Sequence, residues 1–127
     1  SILEGVQSNA ELDLESMKRS CKLFIGEHDF YSFASRDQNI SSTSRTINRL
    51  EMKRTDALGL DAEIYYIEIE GNGFLKHMVR FIVGALFEAG RHVIDDEDIR
   101  QALCNRNEMK LSAKAKARGL HLIEITY

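Results

Sequence analysis

Residues 70–90 constrain the fold of this chain more than any other stretch. They read Glu70-Gly71-Asn72-Gly73-Phe74-Leu75-Lys76-His77-Met78-Val79-Arg80-Phe81-Ile82-Val83-Gly84-Ala85-Leu86-Phe87-Glu88-Ala89-Gly90. Leu75, Met78, Val79, Ile82, Leu86 and Ala89 recur at helical spacing, and Phe74, Phe81, Val83, Ala85 and Phe87 fill most of the remaining circumference. A helix that is apolar nearly all round has to be buried, so the rest of the chain must wrap around it. Gly71-Asn72-Gly73 predicts a turn with Asn72 or Gly73 as N-cap, and Gly90 stands where a left-handed C′ residue would end the helix.

The charge on this helix does not serve its stability. Lys76, His77 and Arg80 fall in the first two predicted turns, where the helix dipole already concentrates partial positive charge and a carboxylate would be the stabilising choice. Lys76 and Arg80 are four apart on one stripe, followed by Gly84. Arg80 is flanked by Val79, Phe81, Ile82 and Val83, and a guanidinium drawn into such surroundings needs a carboxylate or phosphate partner. The alternative is that the Lys76 and Arg80 stems snorkel to water and pair with local acids such as Glu70.

The flanking segments supply partners for the helix. A helix is predicted from a cap at Ser8 or Asn9 to Gly26, marked by Leu14, Met17, Cys21 and Phe24, with Glu11, Asp13 and Glu15 early and Lys18, Arg19 and Lys22 late. The first eight residues are weakly patterned, and a chain opening on Ser1 suggests a processed or truncated start. Gly26 to Ser44 reads as a loop, with an aromatic cluster at Phe30, Tyr31 and Phe33 and a serine-rich polar stretch after it. His28-Asp29 is an acid/base pair by composition, but adjacent side chains rarely face each other, which favours a loop-ordering role.

Strands are predicted at Thr46–Arg54 and Ala62–Gly71, the second apolar on both faces and therefore interior. Asp95 and Asp98 resemble a capping box for a helix running to about Asn105, and a final strand follows Gly119. The order of elements predicts an α+β domain over residues 1–127, an antiparallel sheet backed by helices.

Length and composition exclude several classes. A chain of 127 residues with 43% hydrophobic content is large enough for a core of its own. Cys21 and Cys104 form no metal-ligand spacing, which argues for a reducing compartment and against zinc or a disulfide framework. With no targeting segment or long apolar run, the chain is expected to be cytoplasmic and off the membrane.

Several separated segments resemble the tRNA pseudouridine synthase A family. Gly71, Asn72, Phe74, Leu75, His77, Met78, Val79, Arg80, Ile82, Val83 and Gly84 resemble the signature helix that carries the family's invariant arginine. Gly26-Glu27-His28-Asp29-Phe30 with Ser32-Phe33, Arg45-Thr46-Ile47, and Ala117-Arg118-Gly119-Leu120-His121-Leu122 with Tyr127 are similar to further family segments in the same order. The resemblance covers about Cys21 to Tyr127, the C-terminal half of a family chain.

That resemblance implies isomerisation of uridine to pseudouridine in the anticodon stem-loop of tRNA, without metal or organic cofactor, by an enzyme that works as a homodimer. It implies a flipped-out uracil and cations tracking the phosphates around it. Arg80 matches the arginine that pairs with the catalytic aspartate, and Gly119, Leu120 and Leu122 match the uracil pocket. Lys76, His77, Lys110, Lys114, Lys116 and Arg118 are the expected RNA contacts, and the segment 110–118 concentrates cations within a chain of net charge −3. The same run also suits a solvated surface.

Arg54-Thr55-Asp56-Ala57 imitates the start of the family's catalytic Arg-Thr-Asp-Ala-Gly-Val-His-Ala, but continues Leu58-Gly59 and lies between two C-terminal strands, so a turn is expected there. The aspartate-bearing N-terminal half has no counterpart, and the chain alone is expected to be inactive. The alternatives are a stand-alone RNA-binding module without catalysis and a self-sufficient enzyme using Asp56.

Overall fold

The computed structural model describes residues 2–7, 13–35, 39–55, 64–104 and 122–125. Its elements are β1 (Ile2–Gln7), α1 (Leu14–Cys21), β2 (Gly26–Asp29), β3 (Ser44–Thr55), β4 (Ile64–Gly71), α2 (Met78–Gly90), α3 (Asp96–Cys104) and β5 (Leu122–Ile125), with 3-10 turns at Lys22–Phe24 and Tyr31–Phe33. The strands form one antiparallel sheet in the order β2-β3-β4-β1-β5. The α+β architecture read from the sequence is the one observed.

The middle of the sheet follows from alternation along β3 and β4. Leu50 and Met52 pair with Ile69 and Ile67, and all four side chains are buried. Their neighbours Arg49, Glu51, Lys53, Glu68 and Glu70 form ion pairs with one another, Arg49 reaching both Glu68 and Glu70 and Lys53 reaching Glu51 and Glu68. One face is therefore apolar and the other charged, as expected for an antiparallel sheet covered on one side. β4 is interior as expected, although Glu68 and Glu70 make its second face charged.

A bulge between Ile47 and Arg49 changes the phase of the alternation, so that Ile47 is buried together with Leu50 and Met52. β3 can thus cross both β2 and β4 without turning Ile47 to solvent.

Two expectations fail because tertiary pairing outweighs local pattern. The weakly patterned opening residues form β1, which lies between β4 and β5 and gains ladder bonds on both sides. The expected loop after Gly26 instead begins with β2, paired with the start of β3 through Glu27↔Thr46 and Asp29↔Ser44. Gly26 enters this strand at φ +104°, a conformation that a side chain would strain.

The first helix is also shorter than predicted. Asp13 caps it by accepting from the Ser16 amide at 3.1 Å, and after Cys21 the chain tightens into the 3-10 turn. Ser8 and Asn9 lie outside the described residues. The capping box at α3 is formed as read: the Asp95 amide donates to the Asp98 carboxylate and the Asp98 amide to Asp95, both at 2.9 Å.

α2 is the centre of the core. Met78, Ile82, Val83, Ala85 and Leu86 have no exposed surface, and α1 packs along the helix. Phe24, Phe30 and Phe33 stack edge to face beside it, with ring centroids 5.2 and 6.3 Å apart, and all three are buried. Truncating one such side chain to alanine costs about 2–5 kcal/mol, so the helix position is fixed by the packing around it.

Candidate functional site

The strand registers gather one set of ends together. Asp29 pairs with Ser44, Ile47 with Gly71, and Ile2 with both Ile69 and Ile125. The end of β2, the start of β3, the end of β4, the start of β1 and the end of β5 therefore share one edge of the domain, and α2 begins there after Gly71-Asn72-Gly73.

This turn is built from close approach. A Cβ on Gly71 would lie 2.7 Å from the Thr46 carbonyl oxygen, and Gly73 sits at φ +154° beneath the Arg45 guanidinium. Asn72 is not an N-cap, because its side chain accepts from the Thr46 amide at 2.9 Å and its amide donates to the Thr46 carbonyl at 3.1 Å. It prolongs the β3–β4 ladder by one residue. Arg45 is held over the turn by Nη1 donating to the carbonyls of Ser42 and Ser44, at 3.0 and 2.7 Å.

α2 starts later than its periodicity predicts. Phe74 and Leu75 pack on the core from a non-helical segment, and Lys76 and His77 form a turn, so these residues are not part of the helix. The N-cap is His77, in the left-handed region at φ 60° and ψ 11°, with no side-chain capping bond. A left-handed backbone costs a residue with a Cβ on the order of 1–2 kcal/mol, and here the surroundings hold it. The Ser35 amide donates to the Lys76 carbonyl at 2.9 Å, Ser35 Oγ and His77 Nδ1 share a hydrogen bond of 2.8 Å, and the Phe81 amide donates to the His77 carbonyl at 3.1 Å.

Among the sequence-predicted site residues, Arg80 is half-buried in the first turn of α2, and Lys76 is exposed and His77 half-buried just before it. Lys76 and Arg80 do not share a helical stripe, since only Arg80 is helical. Among the described residues no carboxylate is ion-paired with Arg80, and Glu70 is engaged by Arg49 instead. Leu122 opens β5 opposite Glu4, whose partner on the other side is Ile67, which places it in a mid-sheet row. Lys110, Lys114, Lys116, Arg118, Gly119, Leu120 and Asp56 lie outside the described residues.

His28 and Asp29 face apart. His28 Nε2 is bonded to the Ile25 carbonyl at 2.9 Å, while Asp29 accepts from the Tyr31 amide at 3.0 Å and from the Thr43 hydroxyl. Both order the chain around β2. Ser35 and Arg45 were not singled out as site residues from the sequence, because Ser35 sits in a serine-rich polar stretch and Arg45 in a strand.

The far end of α2 is a different environment. The expected C′ glycine, Gly90, is the last helical residue, and the left-handed residue is His92 at φ 63°. Its amide donates to the Ala89 carbonyl at 3.1 Å and the Val93 amide to Glu88 at 2.9 Å, the paired bonds of a Schellman motif. A cleft of about 450 Å³ lies here, lined by Ser16, Arg19, His92 and Asp95 among others. Its polar groups already satisfy each other: Asp96 takes Ser20 Oγ at 2.8 Å and Arg19 Nε at 3.1 Å, and His92 meets Asp13 at 3.0 Å.

Burial opposes ionisation of Asp96, but the Ser20 hydroxyl and the Arg19 guanidinium outweigh it and hold its carboxyl below the ordinary aspartate value. The Ser16 amide and hydroxyl, with His92, do the same for Asp13. Burial pushes the Cys21 thiol up to about 12, which makes it inert, and Cys104 is exposed. Among the described residues no group of three or more metal-ligating side chains comes together, and no helix is long and apolar enough to cross a membrane.

The relatives of the chain identify it. A tRNA pseudouridine synthase family model matches residues 20–127. A protein named tRNA pseudouridine synthase A 2 from Desulfotalea psychrophila is 44% identical over 89% of this chain and 42% of its own length. The proteins named tRNA pseudouridine synthase A from Acetivibrio thermocellus and Listeria welshimeri are 38% and 40% identical, each over 92% of this chain and 46% of their own length. The chain thus spans somewhat under half the length of these curated relatives, and on the family match and these identities it belongs to the tRNA pseudouridine synthase family.

Proposed function

We propose that this chain is the C-terminal half of a tRNA pseudouridine synthase that isomerises uridine in the anticodon stem-loop, and that Arg80 is the partner of the catalytic aspartate carried by the N-terminal half. The observation that carries the reading is a half-buried arginine at the start of an apolar helix with no carboxylate paired to it among the described residues. A charge so placed is costly unless a partner beyond the described residues meets it, and a carboxylate is the partner that its planar fork grips best.

The target base has to leave its stack before its glycosidic bond can move from N1 to C5. Leu122, with Gly119 and Leu120, forms part of the pocket that receives it, and Lys76, Lys110, Lys114, Lys116 and Arg118 track the phosphates outside. The chemistry is carried by side chains without a cofactor, in a cytoplasmic homodimer.

The test is made on the complete gene product with a tRNA transcript labelled with tritium at uridine C5. The isomerisation exchanges that hydrogen for the new C–C bond, so release of tritium reports turnover. Release by the complete product, abolished when the aspartate of its upstream half is replaced by asparagine, is the expected result. Tight tRNA binding with no release would favour the reading as an RNA-binding module without catalysis.

A further inference from the structure

We infer that Ser35 and His77 form a clasp whose task is to set the position of Arg80, which makes both of them positioning residues for the reaction. The inference rests on the reading of Arg80 given above. Three bonds define the clasp: Ser35 Oγ with His77 Nδ1 at 2.8 Å, the Ser35 amide to the Lys76 carbonyl at 2.9 Å, and the Phe81 amide to the His77 carbonyl at 3.1 Å. The first two fasten the segment before α2 to the end of the 3-10 turn Tyr31–Phe33, whose Ser32 and Phe33 are buried. The third makes His77 the first acceptor of the helix, so its left-handed backbone fixes where the first turn, and Arg80 within it, begins.

A plain helix start would not need this arrangement. An ordinary N-cap takes an extended backbone and uses its side chain to bond the amides of the first turn. His77 does neither, being at φ 60° with its ring turned to Ser35. The side chain that could have stabilised the helix instead holds the helix to a neighbouring loop 42 positions away in sequence. Such a tie restricts the rotation and rise of the first turn, the two motions that would displace a guanidinium at its third position. Small displacements of a gripping group cost large factors in rate.

The experiment is a double-mutant cycle in the complete gene product, with tritium release and tRNA binding measured separately. Ser35→Ala is expected to lower kcat about tenfold with KM within about twofold. In an Arg80→Lys background, where the gripping geometry is already lost, Ser35→Ala should cost nothing further. His77→Asn tolerates the left-handed backbone and can share a hydrogen bond with Ser35, so it should retain most of the rate. His77→Gly, which keeps the backbone and loses the bond, should match Ser35→Ala.

Equal losses from Ser35→Ala in both backgrounds would show the clasp to be structural only, and overturn the inference. Near-normal turnover of Ser35→Ala beside a disabled Arg80→Lys would overturn the clasp and leave Arg80 standing. A near-normal Arg80→Lys would instead sink the role of Arg80, and the clasp's purpose with it.

Discussion

α2 carries a left-handed histidine at each end, His77 at φ 60° before it and His92 at φ 63° after it, and the two ends are finished differently. At the C-terminal end the Schellman bonds take the Ala89 and Glu88 carbonyls, the Asp13 amide takes the Gly90 carbonyl at 2.8 Å, and the His92 ring reaches Asp13. Every partner there comes from the described domain itself. At the N-terminal end the His77 side chain makes no capping bond, the cations Lys76 and Arg80 stand where the helix dipole disfavours them, and Arg80 has no paired carboxylate among the described residues. The difference separates an end whose groups are satisfied within the described residues from one where Arg80 has no carboxylate paired to it among them.

The largest effect that could break this comparison is on turnover. Arg80→Ala in the complete gene product is expected to lower kcat on the order of a thousandfold, about 4 kcal/mol, the scale for truncating one partner of a buried charge pair. Arg80→Lys keeps the charge and loses the two-point grip, so the loss there should exceed tenfold while tRNA affinity changes little. Normal kinetics in both variants would make the two ends of α2 functionally equivalent.

Next in size is Gly71, which places the turn before α2. Gly71→Ala sets a methyl group 2.7 Å from the Thr46 carbonyl oxygen and 3.6 Å from both Ile47 Cα and Phe74 Cε1, which leaves little room to relax. A loss of roughly 2 kcal/mol of stability is expected, read as a lower urea midpoint at unchanged slope. No loss would mean that β3 and β4 separate easily at this edge.

How much of this was legible in the sequence depended on whether the deciding interaction was local. The Asp95–Asp98 capping box and the burial of α2 were legible, because a three-residue spacing and a continuous apolar circumference carry those signals within the segment itself. The start of α2 was not. Phe74 and Leu75 continue the apolar spacing and pack on the core, but the break comes from the close approach at Gly71 and from Ser35, far away in the chain. β1 was missed because its strand character comes from β4 and β5 on either side. Charge placement and family resemblance single out Arg80 as a candidate within the sequence, whereas Ser35, bonded to His77 in the structure, carries no signal that distinguishes it from the polar residues around it.

At the stability-built end, smaller effects are expected. His92→Ala forces a Cβ-bearing residue without a ring contact into the left-handed region and should cost about 1 kcal/mol, whereas His92→Gly should recover part of it. The Asp13 and Asp96 carboxyls around this end have folded pKa values below the ordinary 3.8. Their contribution is therefore complete above that value and is lost as pH falls through the folded values. Urea midpoints should drop below pH 4, and the combined Asp13→Asn and Asp96→Asn variant should show a shallower drop. An unchanged acid profile in that variant would place the acid sensitivity elsewhere.

The smallest effect gives the sharpest form of the comparison, because one substitution type has opposite expected signs at the two ends. Arg80→Gln removes a cation, unpaired among the described residues, from a half-buried residue in the first turn of α2, so the chain should gain about 0.5 kcal/mol while the complete gene product loses turnover. Arg91→Gln at the other end removes a cation that suits the dipole and also meets Glu88 at 3.7 Å, and it should cost a few tenths of a kcal/mol. Chemical denaturation of the two variants side by side, at low and high salt, separates the cases, since both differences should shrink as salt screens the dipole. If Arg80→Gln proved the more destabilising of the two, Arg80 would be part of the domain's own structure, and the case for an incoming carboxylate would be lost.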